Sequence, residues 1–204
     1  MARPSKPKLS TTAIAEAALK LVDAHGEFTL PQLAKALSVS ASSLYNHVQG
    51  KGEIIELMRG RAMAEIRLPD PSEDDWRESV RRIAMEYWAS YAKHPRLIPL
   101  LTSHTVRDST TLRAYDALAL AFASAGFNPH HRLEAITIID SFVLGSALDA
   151  AAPAEVWQPD TESSKAFTEA LEAGLSTEHR AEHAFLAGLD VILRGLAPNG
   201  HGGN

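Results

Sequence analysis

A chain of 204 residues, 45% of them apolar and 22% charged, can bury a sizeable core and lies outside the disordered range. The absence of cysteine excludes a disulfide framework, a thiolate metal site and a thiol nucleophile; no apolar run approaches the roughly 20 residues that span a bilayer. The net charge of −5 argues against general affinity for nucleic acid, yet residues 1–68 carry nine Lys/Arg against six Asp/Glu, a balance of +3, and the remainder stands at −8, which suits a protein presenting one end to phosphate.

In chain order, residues 1–9 carry Arg3, Lys6 and Lys8 with no hydrophobic stretch behind them. They read as a disordered basic arm, not a secretory signal, and the expected setting is cytoplasmic. Ser10, Thr11 and Thr12 offer caps to a helix in which Ile14, Ala18, Leu21 and Val22 recur at helical spacing, ended by Gly26. Thr29 with Pro31 opens a second, short helix. Ser38-Val39-Ser40 is a break, and Ser40 caps a third short helix through about His47. Gly50 and Gly52 bracket Lys51, and a longer helix runs toward Leu68. Pro69-Asp70-Pro71 cannot continue a helix and divides a unit over 10–68 from a body over 69–198. In the body, Trp76, Val80, Ile83 and Tyr87 line one helix, and Pro95 and Pro99 flank a short kinked segment. Leu112, Tyr115, Leu118, Ala119 and Phe122 mark another helix, ended by Gly126. Asn128-Pro129 starts a long helix to about Ala151 that is apolar nearly all round. Residues 152–164 read as a loop with one turn near Trp157; a last helix spans 176–196, and 199–204 is a disordered polar tail. No alternating strand pattern and no internal repeat is present.

Three short helices, the second and third joined by a tight turn, are the ingredients of a helix-turn-helix. Leu33, Leu37, Val39 and Leu44 can pack the two short helices together, with the small Ala34 where they cross. The third then projects Ser42, Ser43, Tyr45, Asn46 and His47, hydrogen-bonding side chains of a length suited to base edges and phosphate oxygens. The run from Thr29 to Lys51, with Leu33-Ala34 and Leu37-Ser38-Val39 followed by Leu44-Tyr45-Asn46-His47-Val48, resembles the DNA-binding domain of the TetR family. That resemblance implies an all-α fold: an N-terminal three-helix helix-turn-helix domain and a C-terminal helical ligand-binding and dimerisation domain. It further implies that Thr29, Tyr45, His47 and Lys51 grip phosphates of double-stranded operator DNA, while Ser40, Ala41, Ser42 and Ser43 approach bases. Pro31 stands where the tetracycline repressor itself carries a base-reading Arg, so the operator sequence does not transfer.

The helices over 128–151 and 176–196 are too apolar to have one wet face, and Gly145, Ser146, Ala147 and Gly188 allow close approach, so a homodimer through a four-helix interface is expected. The body, through Ala125-Gly126-Phe127 and the run Ala184 to Leu196, resembles the tetracycline-repressor branch, which implies an effector pocket whose occupation releases the operator. Candidate pocket residues are Trp88, Tyr91, His104, Phe122 and Asp140, the last a carboxylate on an apolar stripe that needs a partner. The branch's metal-binding His is replaced by an aliphatic residue near Leu101, so tetracycline with Mg²⁺ is a poor expectation. No cofactor is expected, and the effector is left open.

A rival enzymatic reading rests on His179-Arg180-Ala181-Glu182-His183, the H-x-x-E-H spacing of inverted zincin proteases. A catalytic zinc needs a third protein ligand, and only 21 residues follow His183. Capping by Ser176, Thr177 and Glu178 with both histidines facing water is the simpler reading. No phosphate-cradling Gly loop or nucleophile elbow accompanies it, so a regulator and not an enzyme is expected.

Overall fold

A computed structural model describes residues 9–69, 75–153, 155–174 and 179–198. The basic arm (save Leu9), Pro71, the Ser176–Glu178 cap and the tail lie outside them. Among the described residues the chain is helical with no strand.

The head is built on α1 (Thr11–His25), capped by Ser10, whose Oγ accepts from the Ala13 amide at 3.1 Å. Its Ile14, Ala18, Leu19 and Val22 are buried against α4 (Lys51–Ala62), which contributes Ile54, Ile55 and Met58. Between them lie α2 (Leu30–Ala36) and α3 (Ala41–Tyr45). The sequence reading carried α3 to His47 and α4 toward Leu68; they end at Tyr45 and Ala62. Beyond Ala62 only a turn follows, and residues 66–69 form no helix.

The body is a helical bundle. Helix α5 (Trp76–Ala92) packs against α7 (Ser109–Ser124) and α8 (Pro129–Asp149), and α10 (Arg180–Gly195) lies on α8 and α5. A 3-10 turn (Pro95–Leu97) and α6 (Ile98–Leu101) form the kinked segment read from the two prolines. Trp76, Phe122 and Phe127 form one aromatic cluster with centroids 5.1–5.9 Å apart. Phe185 of α10 is stacked between Trp88 of α5 (5.0 Å) and Phe142 of α8 (5.6 Å). No turn of helix forms at Trp157; a helix the sequence reading did not single out, α9 (Lys165–Ala173), follows instead, capped by Ser164. It buries no residue, although Phe167, Ala170 and Leu171 share one face.

Head and body meet at α4. The Glu56 carboxylate accepts from the amides of Arg107 (2.7 Å) and Asp108 (3.1 Å) and from Arg59 Nε (2.9 Å). The Arg59 guanidinium, 3% exposed, also donates to the Leu101 (3.2 Å) and His104 (3.4 Å) carbonyls. Gly60 completes the joint, since a Cβ there would collide with the Asp108 carboxylate, itself capping α7 through Thr111. A second joint holds the end of α1, where His94 Nδ1 pairs with Asp23 (2.9 Å) and Arg96 donates to the Asp23 and Ala24 carbonyls.

Two measurements probe this architecture. A Cβ at Gly188 would stand 2.5 Å from Phe142 Cζ, and that ring is held on Phe185. Gly188→Ala should therefore cost about 1–3 kcal/mol, lowering Tm by roughly 2–4 °C per kcal/mol; an unchanged melting curve would show that α10 does not sit this close. At the α4 joint, burial acts to raise the Glu56 pKa, but the Arg107 amide and Arg59 outweigh it and hold the carboxyl below its ordinary 4.5. A depressed folded pKa means stability that is present above the unfolded value and lost as pH falls through it. Urea unfolding from neutral pH to about pH 3, through the folded pKa, should show wild type losing more stability than Glu56→Gln, which starts lower at neutral pH; parallel curves would contradict the joint.

Candidate nucleic-acid interface and ligand cavity

The third helix is too short to stand alone and is held from both ends. Thr29 caps α2 in a reciprocal box: its amide donates to Gln32 Oε1 (2.9 Å) and its Oγ1 accepts from the Gln32 amide (3.3 Å). At the other end of α2, the Ser38 amide donates to Lys35 O (3.1 Å) and the Val39 amide to Ala34 O (3.0 Å), the Schellman pattern. That pattern puts Ser38 at φ +56°, left-handed backbone a non-glycine residue seldom takes. Ser40 then caps α3 by accepting from the Ser43 amide (3.2 Å). Leu44 (1% exposed) and Val48 (2%) turn inward onto Leu33 and Ala34.

With those residues facing the core, the polar set is left outside. Thr29, Ser40, Ala41, Ser42, Tyr45, Asn46, His47 and Lys51 are exposed and Ser43 is half-buried. Tyr45, at 57% exposure, is a large ring with no packing role here. The hydroxyls of Ser40, Ser42 and Ser43 sit within 2.8 Å of one another through Ser40, gathered at the N-terminus of α3. Lys51 opens α4 with its ammonium 5.2 Å over the buried Phe28 ring, which steadies a cation that still faces solvent. The Thr29 hydroxyl is shared with the Gln32 box, so any phosphate contact it makes competes with a cap.

The expected pocket residues separate into two groups. His104 and Asp140 line one cavity of about 450 Å³, together with Arg59, Thr102, Tyr115 and Ser141. Its apolar wall is Ile98, Leu101, Val106, Leu144 and Leu148. Trp88, Tyr91 and Phe122 are not part of that wall. Phe122 belongs to the cluster with Trp76 and Phe127, and Trp88 is stacked on Phe185. Tyr91 is fully buried, and its hydroxyl, like Trp88 Nε1, has no hydrogen-bond partner among the described residues.

Asp140 has the partners its apolar setting requires. Its Oδ1 accepts from the Tyr87 hydroxyl (2.7 Å) and the Tyr115 hydroxyl (2.8 Å). Burial, then the neighbouring Asp140 charge, pushes the Tyr115 phenol up to about 12, and burial raises Tyr87 further, so both remain donors at neutral pH. Arg59, Tyr87 and Tyr115 were not foreseen as site residues. The signal for Arg59 was a charged residue, three after Glu56, on the α4 face that carries Ile55, Met58 and Ala62. His104 stands between this cavity and a wider cleft of about 690 Å³ lined by Gln49, Glu53 and Arg107. A Cβ on Gly52 would lie 3.6 Å from its ring, so the ring rests on the first turn of α4.

The rings of His179 and His183 lie 6.3 Å apart and His179 is 3.8 Å from Glu182, all three exposed. Among the described residues no group of three His, Asp or Glu is placed to hold a metal ion. None of the described helices is long and apolar enough to cross a membrane.

Residues 68–199 match the family described as the tetracyclin repressor-like C-terminal domain. A transcriptional repressor, DrrR1 of Streptomyces coeruleorubidus, is 29% identical over 174 residues, covering 82% of this chain and 63% of that protein. The chain spans about three fifths of the length of the curated relatives it matches. Among solved structures, ActR of Streptomyces coelicolor in complex with actinorhodin aligns with a TM-score of 0.78 at 21% identity, over 97% of this chain and all of the other. BioQ bound to its natural double-stranded DNA operator aligns with a TM-score of 0.69 at 19% identity, over 94% of this chain and 100% of the other. The fold is shared with both, and with a match over most of the body the chain belongs to the tetracycline-repressor-like family.

Proposed function

We propose that the chain is a homodimeric transcriptional regulator of the cytoplasm, a repressor whose exposed α3 reads an operator and which lets go of it when a small molecule fills the α4–α8 cavity. One observation carries this reading: a single helix, α4, supplies Lys51 to the polar face of the head and Arg59 to the cavity wall. Eight residues of helix separate them by about 12 Å. A molecule that displaces Arg59 or its partners therefore acts on the helix against which α1 is packed, and α1 carries α2 and, through it, α3.

The dimer is supported by what α8 and α10 leave uncovered. Leu133 and Ile138 of α8 are 65% and 46% exposed, and Val191 of α10 is 62% exposed. Gly188 is already occupied within the chain by Phe142, so its small size serves packing inside the protomer. A patch of this kind calls for a second copy, and two heads are needed because one short recognition helix covers little DNA. Repression follows the character of DrrR1, and release by a ligand follows the complexes that relatives of this fold make. The reading is of a regulator without catalytic chemistry.

The decisive experiment is binding of the purified chain to DNA from just upstream of its own gene, across a salt series. Selective binding by a dimer that weakens steeply with salt is expected. Lys51→Ala should weaken all sequences alike and reduce the magnitude of the salt slope by about 1. Asn46→Ala or Ser42→Ala should instead relax sequence preference, by about 1–3 kcal/mol for a base contact. Weak binding, equal on every DNA, would sink the proposal.

A further inference from the structure

Resting on the α4–α8 cavity as the effector site, we propose that the effector is a cation, an apolar body bearing a protonated amine that pairs with Asp140. The argument starts from which hydrogen-bonding groups of the wall remain free. Most of its donors are committed. Arg59 gives Nε to Glu56 (2.9 Å) and Nη2 to the Leu101 carbonyl (3.2 Å). Thr102 gives its hydroxyl to the Pro99 carbonyl (3.1 Å), and Tyr115 gives its own to Asp140 (2.8 Å). His104 directs Nδ1 at the Leu100 carbonyl (2.9 Å). Ser141 alone can take either role. The open group that carries a charge is the second carboxylate oxygen of Asp140, since both phenols go to the first, and it selects a ligand that donates.

Charge points the same way. The Arg59 guanidinium is balanced by Glu56. Asp140, by contrast, has no Lys, Arg or His within ion-pair distance among the described residues, and both phenols go to its Oδ1. Its Oδ2 takes no hydrogen bond there and is not among the buried unpartnered atoms, so it remains within reach of the cavity. The cavity thus holds one unbalanced negative charge opposite an aliphatic wall. A neutral ligand would strip water from that carboxylate without replacing it, and an anion would add repulsion. An ammonium replaces the lost water with a charge-assisted hydrogen bond while the rest of the molecule covers Leu101, Leu144 and Leu148.

Three fluorescent probes that share one ring system test this on the full chain without DNA: anthracenylmethylamine, anthracenylmethanol and anthracenecarboxylate. Anisotropy titrations at neutral pH should give the amine about ten- to a hundredfold tighter binding than the alcohol, with the carboxylate weakest. In Asp140→Asn that preference should vanish while the alcohol binds as before. The wild-type comparison needs no variant, and a melting curve shows whether the Asn chain is folded. Equal binding of amine and alcohol, preference for the carboxylate, or a preference that survives in Asp140→Asn would overturn the proposal. So would failure of all three to bind a protein that holds its operator, which leaves the regulator reading standing. Amine-selective binding by a protein with no operator preference would do the reverse.

Discussion

A guanidinium can be taken out of water only where its charge and its N–H groups are met, and Arg59 is the place where this chain takes that step. Glu56 supplies the counter-charge, and the carbonyls of Leu101 and His104 accept two further contacts. Glu56 in turn holds the amides at 107 and 108, where α7 begins. One ion pair on α4 therefore ties together the head, the kinked segment after α5 and the first turn of α7. Hydrogen bonds of this kind are directional, so the joint has one good geometry and worsens abruptly away from it. An aliphatic joint of similar area would tolerate sliding. The choice of a buried ion pair over leucines gives the head a defined angle to the body.

That choice also explains what the sequence showed and what it hid. Helices with a clear core stripe were legible: α1 from Ile14, Ala18 and Val22, α5 from Val80, Ile83 and Tyr87, and α7 and α8 with their Gly126 and Asn128-Pro129 boundaries. The polar face of α3 was legible too, because Leu44 and Val48 are the only branched aliphatic side chains among residues 40–49. The cavity was half legible. Asp140 stood out as a carboxylate on an apolar stripe, but nothing in local spacing says that Tyr87 and Tyr115, 53 and 25 residues away, come to meet it. Aromatic residues were misleading for the same reason: Trp88 and Phe122 look the same in sequence whether they stack in a core or line a cavity. Helix α9 carries a clear apolar face in Phe167, Ala170 and Leu171, but it is short and buries nothing within this chain.

The head and the body solve opposite problems. The five residues of α3 cannot pay for helix nucleation on their own, so caps at Thr29 and Ser40, the left-handed Ser38 and the inward Leu44 hold them in place and free every other side chain for contact. In the body the long helices need no such support, and polar groups there are spent on position. Tyr87 and Tyr115 orient one carboxylate, and Arg81 on α5 pairs with Asp190 on α10. The acidic balance of the body and the basic balance of the head follow the same division, since only the head is proposed to meet phosphate.

A ligand can shift this molecule only through a difference in its free energy between two arrangements. Shifting from mostly one state to mostly the other takes about 5.5 kcal/mol of differential binding, more than apolar contact with a half-open cavity supplies selectively. The groups able to provide a difference of that size are those whose hydrogen bonds change when α4 moves. Arg59 meets that condition because its partners lie on both sides of the joint, and His104 because its ring rests on Gly52 while its carbonyl faces Arg59. In the proposed effector site Asp140, on α8, would fix where a ligand sits, while Arg59 and His104, which touch α4, would register it. Recognition and response would then fall to different residues of one cavity, and the effector could change in chemistry without the lever changing with it.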